Sequence, residues 1–146
     1  MKTVMMSRTL RSEAALRFAE RRRREDEAPR LLDLVPSLAT LRLEMRSVGG
    51  AVNAEARHAR IVVVERAPAL FAVKCDDPAC RGGGYDVTGP IMQGLLAATT
   101  GFEVEDTCHG TVADAACGRS VRVRVTATYR DPPSSRRRGS ADASRR

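Results

Sequence analysis

Apolar and polar residues alternate most regularly near the C-terminal end of the chain. Val121, Val123, Val125, Ala127 and Tyr129 fall on one side of an extended backbone, and Arg122, Arg124, Thr126 and Thr128 on the other. A period of two marks a strand with one face buried and one wet. Leu41, Leu43 and Met45 alternate in the same way with Arg42, Glu44 and Arg46, and Gly49-Gly50 ends that strand. Phe102 and Val104 against Glu103 and Glu105 predict a third, over residues 102–107. Residues 61–64 are a dense β-branched run and read as a more deeply buried strand. Residues 70–75 form a fifth, with Phe71, Val73 and Cys75 on one face and Ala72 and Lys74 on the other. Residues 51–59 read as a loop or a short helical turn.

Two segments carry a helical pattern instead. Residues 7–27 are rich in Ala, Leu, Arg and Glu and hold neither Gly nor Pro. The apolar stripe there is thin (Leu10, Ala14, Phe18), and Glu20 and Arg24 stand at i,i+4, which supports a helix locally. Such a helix packs weakly and is expected as an arm that is either mobile or docked on a partner. Residues 87–99 present Ile91, Leu95 and Ala98 at helical spacing, with Asp86 or Thr88 to cap the start and Gly101 to stop the end. Residues 29–36 are a connector with an apolar patch at Leu31, Leu32, Leu34 and Val35. Residues 131–146 are rich in Pro, Ser and Arg without apolar period, as a disordered tail is.

The expected organisation is a charged helical arm and connector over 1–37, a core over 38–130 and a basic tail over 131–146. The fold class is α+β: a small antiparallel sheet of four to five strands, one packed helix, and a cysteine clasp at the strand ends. The strands from residue 102 onward form an antiparallel hairpin in this reading.

Charge sharpens that division. The net charge is +7. The core is close to neutral, and each end carries an excess of about three positive charges. The basic clusters are Arg21, Arg22, Arg23 and Arg24 in the arm and Arg136, Arg137 and Arg138 in the tail. They are the candidate contacts to nucleic acid or to an acidic protein. Only Lys2 and Lys74 among the 25 basic residues are lysine. That bias reflects a GC-rich coding sequence and weakens any argument from arginine count. Arg42, Arg46, Arg122 and Arg124 share outer sheet faces with Glu44, Glu103 and Glu105, which neutralise them as cross-strand partners. No stretch approaches the ~20 apolar residues of a membrane span, and no secretory signal opens the chain. A reducing, cytoplasmic location is therefore expected.

The candidate chemistry lies in four cysteines. Cys75 and Cys80 enclose four residues, and Cys108 and Cys117 enclose eight. Each pair sits at a strand end, so a close approach of those ends brings four thiolates together. Four sulfurs suit one structural zinc ion. The first spacing is usual for zinc ligands. The second is wide, and the intervening helix is unlike a plain zinc ribbon. Free buried thiols, disulfides or a redox-active pair are the competing readings. His109 follows Cys108 and is either a substitute ligand or an exposed loop residue.

Other motifs are poorer. Gly82-Gly83-Gly84 before a helix suggests an anion cradle, yet no Gly-Lys-Ser/Thr follows, so a tight turn is preferred. Asp76-Asp77 is explained by the turn at Pro78. With only His58 and His109 available, a nucleophilic catalytic set is not apparent. No catalytic residue is assigned and a small-molecule substrate is not expected.

Phe71 to Tyr129 resembles an uncharacterised family of small bacterial four-cysteine proteins. The residues that carry the resemblance are Cys75-Asp-Asp-Pro-Ala-Cys80, Gly83-Gly84-Tyr85-Asp86-Val87-Thr88, Cys108-His109-Gly110 and Cys117. The resemblance implies metal binding and no activity. The functional expectation is a binding or regulatory module with a structural zinc site, contacting its partner through basic arms. The alternative is a thiol redox or metal-handling protein that uses the same cysteines.

Overall fold

The alternating segments of the sequence become neighbours in one antiparallel sheet. The computed structural model describes residues 2–50 and 54–130, with side chains from Ser12 onward except Ala14. Arg136, Arg137 and Arg138 lie outside the described residues. In chain order the elements are helix α1 (Lys2–Glu27), the short helix α2 (Leu31–Leu34), strands β1 (Leu38–Gly49) and β2 (Ala56–Val62), strands β3 (Ala72–Lys74) and β4 (Gly84–Asp86), helix α3 (Thr88–Leu96), and strands β5 (Gly101–Thr107), β6 (Thr111–Val112), β7 (Ala115–Ala116) and β8 (Arg119–Tyr129).

The main sheet has the order β2-β1-β8-β5. All its pairings are antiparallel, with Leu43 opposite Val125 and Val104 opposite Val123 at its centre. The two most regular alternations in the sequence thus form the two central strands. Their apolar faces point the same way: Leu41, Leu43, Val121, Val123, Val125 and Ala127 are all buried. Ile91 and Leu95 of α3 join the same core, as do Leu31 and Val35 of the connector and Val64, Phe71, Tyr85 and Val87. Each such side chain removed from water stabilises the fold by about 1.5–3 kcal/mol. The architecture is α+β with a four-stranded sheet and one packed helix, as the patterning predicts.

The opposite sheet face is wet and charged. Arg122 pairs with Glu105 at 2.7 Å, Arg42 with Glu44 at 3.2 Å and Arg46 with Glu55 at 2.6 Å. Arg42, Arg46 and Arg122 are thus paired with acids, although the register sets Arg46 opposite Arg122 and Arg57, and Arg124 has no ion pair among the described residues.

Three local expectations are corrected. Residues 51–59 are not a loop throughout: β2 begins at Ala56 and pairs with β1 to Val62. The run 61–64 is not deeply buried. β2 is an edge strand, and Ile61 in it is 77% exposed and Val63 just beyond it 58%, while Val62 and Val64 are buried. The N-cap position of α3 is held by neither Asp86 nor Thr88, although Asp86 Oδ1 does accept from Thr88 N, the first N–H of the helix, at 3.1 Å. Val87 occupies that position, held by its own N–H to Phe71 O at 2.9 Å. The Thr88 hydroxyl accepts instead from Phe71 N at 2.8 Å. The helix ends before Gly101, because Ala98 adopts φ 55° and leaves the helical path there. Gly101 opens β5, and Ala98 is exposed.

α1 is attached at its C-terminal end. Arg24 pairs with Asp86 at 2.7 Å, and beyond the helix Pro29 O accepts from Ala69 N at 2.8 Å. Leu16 and Phe18 on the helix remain 71% and 64% exposed.

Candidate metal centre

The two small ribbons stand at the same end of the sheet and carry the cysteines. β3 pairs with β4, and β6 with β7. Cys75 follows β3 directly. The next residues make a tight turn: Asp77 O accepts from Cys80 N at 3.1 Å, and Asp77 Oδ1 accepts from Ala79 N at 2.9 Å. The aspartate pair therefore does serve a turn, at least through Asp77. Cys108 ends β5, its N–H donating to Arg119 O at 2.7 Å. The segment from 109 to 116 contains the β6–β7 hairpin. Ala113 and Asp114 both take positive φ at its tip, the conformation of a two-residue hairpin turn. Arg81 and Thr111 exchange backbone hydrogen bonds at 2.8 and 3.0 Å, joining the first cysteine loop to the second.

These connections bring all four sulfurs within 4.8 Å of one another. Cys80 Sγ is 3.6 Å from Cys108 Sγ, and Cys75 Sγ is 3.9 Å from Cys117 Sγ. Four thiolates held ~2.3 Å from a tetrahedral ion stand about 3.8 Å apart. The cluster therefore has the dimensions of a four-sulfur metal site. Cys75, Cys108 and Cys117 are buried, and Cys80 is half-buried. Burial, then hydrogen bonding to Cys108 and Cys117, holds the Cys80 thiol above its ordinary value. Burial and the neighbouring Cys75 do the same to the Tyr85 phenol. Without a cation the Cys80 sulfur is therefore held protonated, and a bound metal would displace that proton.

Two glycines make the approach possible. A Cβ at Gly83 would strike both Cys80 Sγ and Cys108 Sγ, and one at Gly110 would strike Cys80 Sγ and the backbone of Gly83. Gly110 N also donates to Cys108 Sγ at 3.4 Å. Gly83 is thus required by the close packing of backbone on sulfur, in addition to the turn at Gly82, whose φ is +67°.

The sheet holds this end through a polar network that patterning had not singled out. Arg119 is 1% exposed. Its guanidinium donates to Asp76 Oδ1 at 2.8 Å, to Asp76 Oδ2 at 2.9 Å and to Gly49 O at 2.8 Å, and also bonds Ala54 O. Ser47 Oγ donates to Asp76 Oδ2 at 2.9 Å. The Arg119 hydrogen bond holds the Asp76 carboxyl below its usual range, against burial. A signal for this was present. Arg119 is in phase with Val121, Val123 and Val125, so period two places it on the buried face, where an arginine needs an acid. Ser47 extends the β1 series in the same way. Asp106 extends the β5 series and accepts from Asp86 N at 3.1 Å. The inner faces of β1, β5 and β8 turn polar where they meet the cysteine end.

The remaining candidates lie apart from the sulfurs. The His109 side chain is 82% exposed, with Nε2 3.8 Å from Asp106 Oδ1, and it does not enter the four-ligand group. Arg21, Arg22, Arg23 and Arg24 are exposed on α1. Arg23 pairs with Glu20 and Glu27, and Arg24 with Asp86. Arg21 and Arg22 have no acidic partner among the described residues. No described helix is long and apolar enough to cross a membrane. In comparisons with known proteins, the chain matches no protein-family model, no curated protein and no solved structure. The case for the site therefore rests on its own geometry: four cysteines from two loops, grouped at metal-binding distances.

Proposed function

We propose that the chain is a small binding or regulatory module whose cysteine end is held by one structural zinc ion on Cys75, Cys80, Cys108 and Cys117. The convergence of four sulfurs, three of them buried, carries this reading. An all-sulfur tetrahedral set favours zinc over the harder divalent ions. Four protein ligands leave no position for water or substrate, so the ion would act as a clasp and not as a catalyst. The reading also places the protein in a reducing, cytoplasmic compartment, where paired thiols persist as ligands.

The contact surface in this proposal is the exposed basic helix α1, with Arg21 and Arg22 offered to solvent, together with the tail that carries Arg136, Arg137 and Arg138. The partner is nucleic acid or an acidic protein. Two measurements test the two halves. Protein purified under reducing conditions should carry one zinc per chain, and a metal-free folded protein would reject the clasp. Binding to nucleic acid should fall steeply between low and moderate salt and disappear when residues 1–27 and 131–146 are removed. Equal binding by the shortened chain would end the role given to the arms.

A further inference from the structure

The four cysteines are not equivalent, and their differences suggest how the clasp opens. Three sulfurs are buried behind the sheet and the ribbons, while Cys80 is half-buried. A cavity of about 580 Å³ reaches the Cys75–Cys80 loop from the side of Glu13 and Arg17. Cys75 and Cys80 both line it, and of the two only Cys80 is not fully buried, so a small solute meets Cys80 first. Cys108 Sγ accepts a hydrogen bond from Gly110 N, and no backbone N–H donates to Cys80 Sγ among the described residues. A thiolate without such a donor keeps more of its nucleophilic electron density. The nearest sulfur to Cys80 is not tied to it by a short loop. It is Cys108, 3.6 Å away across the junction of the two loops. Cys75 and Cys117 form the second close pair, at 3.9 Å, both buried.

We infer that Cys80 and Cys108 are a redox pair, and that a peroxide-class oxidant opens the site by joining them. This rests on the proposed metal site and specifies its regulation. The Cys80 thiolate attacks one peroxide oxygen. The O–O bond breaks, a sulfenic acid forms on Cys80, and the departing oxygen takes a proton and leaves as water or an alcohol. The Cys108 thiolate then attacks the Cys80 sulfur. The S–S bond forms, the S–O bond breaks, and the hydroxide leaves as water after taking a proton. The two sulfurs together lose two electrons and the peroxide gains them. Only Cys75 and Cys117 remain as thiolate donors, too few to retain a structural ion.

The sequence allows a direct test. Cleavage after arginine together with cleavage before aspartate places each cysteine on its own peptide, because Asp76 and Asp77 separate Cys75 from Cys80, Arg81 separates Cys80 from Cys108, and Asp114 separates Cys108 from Cys117. The full chain is assayed for zinc, treated with increasing hydrogen peroxide, and followed by zinc release and by disulfide mapping. The expected first product is Cys80–Cys108, forming in step with zinc release and reversed by dithiothreitol. Cys80→Ser should slow oxidation by at least ~10-fold. A first disulfide of Cys75–Cys80 or Cys108–Cys117 would overturn the inference. So would zinc release without a disulfide, or oxidation of Cys80 to a sulfinic acid with Cys108 still reduced. A folded protein without zinc at the start would reject the metal reading alone, since the order of disulfides is still read from the same sample.

Discussion

The main sheet and the cysteine end are held together by opposite means. The sheet has long central strands, continuous pairing and an apolar face covered by α3 and the connector. Nothing about it needs a special ligand. The cysteine end is made of strands two or three residues long. Isolated ribbons of that length are marginal in water. Around them the structure gathers a four-sulfur cluster and the Arg119–Asp76 pair, and Cys75, Tyr85, Cys108 and Cys117 are buried with the core. The comparison teaches that very short ribbons can extend a small core where specific polar and sulfur contacts add to their apolar burial.

The largest expected effect tests that dependence directly. Cys117→Ser should abolish bound zinc and remove most of the stabilisation of the proposed site, on the order of 10 kcal/mol for structural zinc. Hydrogen exchange should then show lost protection in β3, β4, β6 and β7 before β1 and β8. Simultaneous loss in all six strands would show that the two regions are one cooperative unit. Next in size is the polar tie. Arg119→Ala should cost about 3–5 kcal/mol in urea unfolding, because it leaves Asp76 and the carbonyls of Gly49 and Ala54 unpaired. Arg119→Lys should recover little, since one ammonium cannot replace the planar fork.

A cavity on the sheet side offers the contrasting case. Ile91→Ala should cost about 2–5 kcal/mol, with zinc per chain unchanged. Zinc loss in that variant would show that the sheet core shapes the metal end more closely than the connections suggest. The smallest effect is in pH dependence. The folded carboxyl of Asp76 is depressed, so the stability it adds is present above its unfolded value of about 3.9 and is lost as pH falls through its folded value. The stability difference between the wild type and Asp76→Asn should therefore shrink on acidification below about pH 4. A constant difference would show that Asp76 contributes through hydrogen bonding alone.

Much of this organisation was legible along the chain, and the errors share a cause. Period two identified β1, β5 and β8 and their inner faces, since alternation follows from backbone geometry whatever the neighbours are. It did not tell edge from centre. The dense apolar run at Ile61 belongs to an edge strand, and only the tertiary structure shows that Ile61 and Val63 are exposed. It also did not reveal Arg119, because the apolar series seemed to begin at Val121. Following the phase two residues further back places a buried arginine next to the cysteine end. The ends of α3 were misjudged because Val87 and Ala98 owe their conformations to neighbours, Phe71 for the first and the turn into β5 for the second.

The sequence by itself determined the half-buried strands, the apolar face of α3, the charge of the arm and the presence of four thiols at strand ends. These follow from local periodicity and composition, which each segment carries alone. Only the tertiary structure decided that Cys80 lies against Cys108 and Cys75 against Cys117, that Gly83 and Gly110 leave room for the sulfurs, and that Asp76 neutralises Arg119. The two sulfur pairs and the Asp76–Arg119 pair join residues 28 to 43 positions apart, and a backbone can close such separations in many ways until the sheet register selects one.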